Sequence, residues 1–131
     1  MIVLDTHACI WWLADQKKLS PNAAVAIERS CKGAGIYVSS ISAWEIAMLV
    51  KRGRLELTMN VSDWIALAES LPYLHSVPVN NRIAVMSVEL QDYAHTDPAD
   101  RIIIATAISL NAQLITKDEK ILSYPHVKAL W

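Results

Sequence analysis

Four carboxylates of this chain stand where apolar sequence gives way to a turn or a helix. Asp5 follows "MIVL", Glu45 lies in "ISAWEIAML" just after "IYVSS", Asp100 sits in "DPADRIIIATAISL", and Asp118 follows "LIT". Acids gathered beside apolar segments, with no basic residues at matching positions, repel one another. Protonation relieves that repulsion, and so does a hard divalent cation. Mg²⁺ and Mn²⁺ take oxygen ligands, keep part of their water and bridge to phosphate. Such a site can position a water for in-line attack on a phosphodiester and stabilise the entering and leaving oxygens together. Zinc does not suit the sequence, because no His/Cys cluster has ligand spacing.

Three of these acids also have a plain structural explanation. Ser42-x-x-Glu45 matches a capping box, Asp118 in "TKDEK" reads as a solvated turn acid, and Asp5 can close a turn. Spacing separates the two aspartates of "HTDPADR". Asp97 precedes Pro98, and proline suits the first helical position, so Asp97 is expected to be the N-cap. Asp100 is then the third helical residue. Three, four, seven and eight residues further on come Ile103, Ile104, Ala107 and Ile108, so Asp100 heads the buried stripe of its helix. Glu45 is expected to share a face with Ile41, Met48 and Leu49.

The elements that must position these acids follow from periodicity and punctuation. "MIVLD", "GIYVSS", "HSVPV", "AQLITKD" and "HVKAL" read as short strands, the third weakened by Pro78 and the last an edge. Helices are expected over "THACIWWLAD", "LSPNAAVAIERSCKG" (Ser20 as N-cap, Pro21 at the first position, Gly33 past the end), "ISAWEIAMLVKRGRL" with Gly53 as its stop, "NVSDWIALAESL", "NNRIAVMSVELQ" and "DPADRIIIATAISLN", which Asn111 can close. "KDEKILSY" is a short turn or helix. Strands alternating with helices imply a single α/β domain over residues 1–131, a three-layer α/β/α sandwich on a mainly parallel sheet of four to five strands. In such a sheet, ligand sites form beyond the carboxyl ends of the strands, and Asp5, Glu45 and Asp118 all follow strands.

Composition narrows the function. The chain has 131 residues, 53% of them hydrophobic, and a net charge of −1. No apolar run approaches the ~18 residues of a membrane span, so the surplus reads as a dense core plus an apolar patch for a partner. There is no broad basic footprint, although acids at a site would hide local basic patches in the sum. The N-terminus lacks a basic segment and Asp5 interrupts its apolar run, which argues against a signal peptide. Cys9 and Cys31 fit no disulfide framework and point to a reducing cytoplasm.

The segments "MIVLDTHACIWWL", "VSSISAWEIAMLVKRGRL" and "HTDPADRIIIATAISLNAQLITKDEKI", taken in order, resemble the PIN-domain ribonucleases, specifically the VapC-type toxins of toxin–antitoxin pairs. The resemblance spans nearly the whole chain. It implies Mg²⁺- or Mn²⁺-dependent cleavage of RNA, a homodimer, and a cognate antitoxin that covers the site. It carries the family's four acids onto Asp5, Glu45, Asp100 and Asp118, with Asp5 and Asp100 as the metal ligands. Thr6 and Thr116 match its hydroxyl positions.

The expected function is therefore a metal-dependent endoribonuclease acting as a toxin, with a housekeeping RNA-processing nuclease as the alternative. A receiver-like phospho-switch lacks its acid in "HSVPVNN". A non-catalytic binding module is the third possibility. Arg101 and Lys117 lie nearer the acids than Lys51, Arg52 and Arg54, and Arg101 reads either as a phosphate contact or as a partner of a site carboxylate. His7 and His95 flank acids. Trp11 and Trp12 cannot both face inward on one helix, and Trp44 can serve as packing or as a base-stacking surface.

Overall fold

The computed structural model describes residues 1–131. Its elements are β1 (Ile2–Leu4), α1 (Thr6–Ala14), a short 3₁₀ turn (Gln16–Lys18), α2 (Pro21–Cys31), β2 (Ile36–Ser39), α3 (Ser40–Lys51), α4 (Val61–Glu69), β3 (Leu74–Val77), α5 (Asn81–Val88), α6 (Pro98–Ser109), β4 (Gln113–Ile115), α7 (Glu119–Leu122) and β5 (Ala129–Leu130). The five strands form one sheet in the order β3-β2-β1-β4-β5, and every pairing is parallel. This is the expected three-layer sandwich, with an all-parallel sheet.

Side-chain alternation along β1 explains the layers. Ile2 and Leu4 point to one face and join Ala8, Cys9 and Trp12 of α1, with Ala23 and Ile27 of α2. Val3 points to the other and joins Leu114 of β4 with Ile103, Ile104 and Ala107 of α6. All three residues of β1 are buried, as a strand covered on both faces requires, which is why it reads as an unbroken apolar run. "HSVPV" is indeed an edge: β3 ends at Val77, so Pro78 falls where no ladder donor is needed.

Helix stops are mostly where the punctuation puts them. Asn111 (φ 49°) closes α6 and Gly53 (φ 69°) closes α3 in the left-handed conformation. After α2 the left-handed residue is Gly35 (φ 92°), not Gly33. A Cβ at Gly35 would also lie 2.9 Å from the imidazole of His75, so the turn into β2 has two reasons to be glycine.

Candidate active site

The strand order places β1 beside β4. The chain builds β1, β2 and β3 outward on one side, then crosses back to lay β4 and β5 on the other. The crevice at the carboxyl ends of β1 and β4 is therefore the topological switch point of the sheet. The Asp5 N–H donates to Ile115 O at 3.1 Å and ties the two strand ends together. A cavity of about 530 Å³ opens there, and Asp5, Glu45, Asp97, Asp100 and Asp118 all line it. All four acids singled out in the sequence thus reach one space from four different elements. Asp97 joins them.

Asp5 ends β1 and caps α1. Its Oδ1 accepts from the Ala8 N–H at 2.8 Å, and its Oδ2 accepts from the Thr116 hydroxyl. Thr116, fully buried at the end of β4, also accepts the Asp118 N–H at 3.1 Å. One hydroxyl therefore sets both the orientation of Asp5 and the turn that carries Asp118. Burial raises the proton affinity of Asp5 above the ordinary 3.8, with the Asp118 charge adding to it; the Thr116 and Ala8 hydrogen bonds and His7 oppose the rise.

The capping-box reading of Glu45 is not what the structure shows. The N-cap of α3 is Ser39, whose hydroxyl accepts from the Ile41 N–H at 3.2 Å. Ser42 lies inside the helix, wholly buried, with its hydroxyl 3.0 Å from that of Thr6. Thr6 gives its one proton to Glu45 Oε1, so Ser42 must donate to Thr6. A chain of hydroxyls thus steers Glu45 into the cavity. Its companions Ile41, Met48 and Leu49 are only half buried, and the core-facing residues of α3 are Ser42 and Ile46. The shared face of Glu45 is a groove wall and not the core. Burial raises the proton affinity of Glu45, reinforced by Asp97 and Asp5 and opposed by the Thr6 hydrogen bond and His7.

Asp97 is the N-cap of α6, accepting from the N–H groups of Ala99 at 2.9 Å and Asp100 at 3.3 Å. Asp100 heads a face whose Ile103, Ile104 and Ala107 are at most 1% exposed. Its carboxyl is pushed from 3.8 up to about 7, first by burial and then by the charges of Asp97, Asp118 and Glu45, with Lys120 opposing. Asp118 caps α7 through the Lys120 N–H at 2.8 Å, so it is a cap rather than a freely solvated turn acid.

The acids are not without cations. Lys117 and Lys120 line the same cavity, and the Lys117 ammonium lies 5.8 Å from the centre of the Trp11 ring. Lys120 was not singled out in the sequence, although its place two residues after Asp118 is the signal. Arg101 takes neither role expected of it. Its guanidinium donates to the carbonyls of Ser87, Tyr93 and His95 at 2.8 Å each and of Val88 at 3.1 Å. It pins the loop between α5 and α6, and thereby the start of the helix that carries Asp100. Of the flanking histidines, His7 lines the cavity, whereas His95 packs edge-on to Tyr93. The two tryptophans divide as helix geometry demands: Trp12 is buried, and Trp11 lies on the cavity wall against Trp131.

The donor set on this wall is carboxylate and hydroxyl oxygen, which suits a hard, partly hydrated divalent cation. No three of the acids, histidines and cysteines converge closely enough, as they stand, to enclose an ion by themselves. Burial and mutual repulsion raise Asp5, Glu45 and Asp100 alike, the electrostatic condition that a cation relieves.

Comparison with known proteins gives the fold and the family. The structure of VapBC2 from Rickettsia felis bound to a DNA fragment from their promoter contains a chain of the same fold (21% identical, covering 99% of this chain and 98% of that one, TM-score 0.71). So does FitAcB from Neisseria gonorrhoeae (21% identical, covering 100% and 97%, TM-score 0.68). In sequence the chain is 36% identical over 126 residues to Ribonuclease VapC22 of Mycobacterium tuberculosis, covering 95% of this chain and 92% of that protein. The family model of the PIN domain matches residues 2–127, and on that match the chain belongs to the PIN-domain family.

Proposed function

We propose that this protein is a metal-dependent endoribonuclease and the toxin of a toxin–antitoxin pair. The observation that carries the reading is the meeting of Asp5, Glu45, Asp100 and Asp118 at the switch point of the sheet, three of them with raised proton affinity. The 36% identity to a protein named Ribonuclease VapC22 supports RNA as the substrate. The likeness to chains found in VapBC complexes and in a toxin–antitoxin complex from Klebsiella pneumoniae supports an antitoxin partner.

In this reading Asp5 and Asp100 would hold Mg²⁺ or Mn²⁺, and Glu45 and Asp118 would complete the acidic pocket, through water or as general base. The chemistry such a cation supplies is a more acidic bound water and neutralisation of phosphate charge. The chain supplies the rest. Thr116 and Ala8 fix the Asp5 carboxylate, leaving each oxygen a free lone pair. The Ser42–Thr6 chain fixes Glu45 on the cavity wall, where its carboxylate can take the proton of the attacking water. Lys117 and Lys120 balance the backbone phosphates at the mouth.

No helix is long and apolar enough to cross a membrane, and both cysteines are free, in keeping with a cytoplasmic protein. Val85 and Val88 of α5 are 55% and 75% exposed, an apolar face suited to a homodimer.

RNA cleavage measured with and without EDTA, with the cut ends mapped by sequencing, tests the activity. Cleavage should vanish in EDTA and return with Mg²⁺ or Mn²⁺. Asp5→Asn and Asp100→Asn should abolish cleavage and growth inhibition while the protein stays folded. Full activity in Asp100→Asn, with loss in Asp97→Asn, would overturn the site assignment. Growth arrest on expression, relieved by the protein encoded next to it, tests the toxin role.

A further inference from the structure

A second depression adjoins the acid cavity. It lies between α3 and the start of α6, encloses about 730 Å³, and shares Glu45 and Asp97 with the acid cavity. One wall is built by Ile41, Met48 and Leu49 of α3, the half-buried face that Glu45 also occupies. Pro98 and Ala99 close the other side. Trp44 stands on the wall with 58% of its surface exposed, unusually open for the largest side chain. Arg52 lies at the C-terminal end of α3, about 10 Å along the helix axis from Glu45.

We infer that this groove seats an unpaired nucleobase of the RNA next to the scissile phosphate, stacked on Trp44, with the Arg52 guanidinium meeting the following phosphate. The inference rests on the ribonuclease reading and adds to it a base-stacking subsite centred on Trp44.

Three observations select this occupant. The groove adjoins the acid cavity along Glu45 and Asp97, so a strand whose phosphate lies at Asp5 and Asp100 delivers its neighbouring nucleotide here. An exposed indole beside apolar side chains offers a base the face it needs, and stacking of this kind accepts any base. Arg52 supplies positive charge where the strand leaves the carboxylates. Stacking on Trp44 requires a base splayed out of its helix, which a single-stranded probe presents.

The test uses the full-length protein and a short single-stranded 2′-O-methyl oligoribonucleotide, with binding read by fluorescence anisotropy in EDTA. Cleavage of the matching RNA is read separately in Mn²⁺. Trp44→Ala should weaken binding about 5- to 100-fold, the range of one lost base stack, while Trp44→Phe stays near wild type. An abasic nucleotide at one position should reproduce the Trp44→Ala loss and add nothing to it. Arg52→Gln should lower the salt dependence of binding by about one ion.

The inference is overturned if the wild type does not bind the oligonucleotide, if Trp44→Ala binds as wild type, or if abasic and Trp44→Ala losses add independently. It is also overturned if Trp44→Ala spares RNA binding but abolishes inhibition by a protein partner, since the groove is then a protein surface. The two readings fail differently. Trp44-dependent binding without cleavage in Mn²⁺ would remove the ribonuclease reading and leave the groove. Cleavage indifferent to Trp44 would do the reverse.

Discussion

Replacing Asp100 by Asn should make the metal-free protein more stable at neutral pH. The Asp100 carboxyl is held at about 7 against an ordinary 3.8, chiefly by burial and by Asp97, Asp118 and Glu45. Its folded-state pKa lies above its unfolded value, so between those two pH values the folded protein binds the proton more tightly than the unfolded chain. Stability from this group is therefore full below about pH 4 and is lost as pH rises towards 7. A shift of this size corresponds to ~4 kcal/mol at face value. Asp100 is only half buried, and water screens its carboxyl, which reduces the expected effect to ~1–2 kcal/mol. Asparagine keeps the shape and removes the charge. In a domain of this size ~1–2 kcal/mol corresponds to a rise in melting temperature of roughly 3–8 °C.

Thermal melts of wild type and Asp100→Asn in EDTA at pH 4, 5.5 and 7.5 check this. The difference should be near zero at pH 4 and largest at pH 7.5. Added Mn²⁺ should then raise the melting temperature of the wild type at pH 7.5 more than that of the variant, because binding to the folded state alone is stabilising. A difference independent of pH, or an asparagine variant less stable at pH 7.5, would refute the account of Asp100 as a carboxylate under electrostatic stress.

Substitutions at three further positions follow from the geometry. Thr116→Val deletes the hydroxyl that orients Asp5 and accepts the Asp118 N–H, so cleavage should fall ~10- to 100-fold, while Thr116→Ser retains most activity in the same assay. Arg101→Ala leaves the carbonyls of Ser87, Val88, Tyr93 and His95 without their donor, and denaturant unfolding should show a loss of about 2–4 kcal/mol. Arg101→Lys should recover little of that, because an ammonium cannot span the fork. At pH 4, where the neighbouring carboxyls are largely protonated, Asp97→Ala should lose ~1 kcal/mol of stability as an N-cap; Asp97→Asn keeps the acceptor and should melt close to wild type there and somewhat above it at pH 7.5, with one charge fewer beside Asp100.

Periodicity and punctuation are local properties, and they made much of this molecule legible. The run "IVL" has to be covered on both faces, Pro98 after Asp97 has to open a helix, and a third helical residue ahead of Ile103, Ile104 and Ala107 has to point where they point. That Asp97 caps this helix and that Asp100 heads its buried face were therefore legible in local spacing. The alternation of strands and helices likewise placed Asp5, Glu45 and Asp118 towards one edge of a parallel sheet.

Pairings between distant segments have no local signature, and those are what folding added. Ser42 three residues before Glu45 looks like a capping box, but it is Ser39 that caps, and Ser42 turns inward because Thr6, 36 residues earlier, supplies its partner. Arg101 beside Asp100 looks like a cation for the acids or for phosphate, yet two carbonyls at the end of α5 and two in the loop before α6 face its guanidinium. Thr116 meets Asp5 across 111 residues only because β4 docks beside β1. The face shared by Ile41, Glu45 and Met48 follows from helical spacing, but its burial does not: the approach of α6 covers it only in part and leaves a groove. Helix and strand periods set which side chains share a face, and the packing of one element on another sets whether that face becomes core, groove or site.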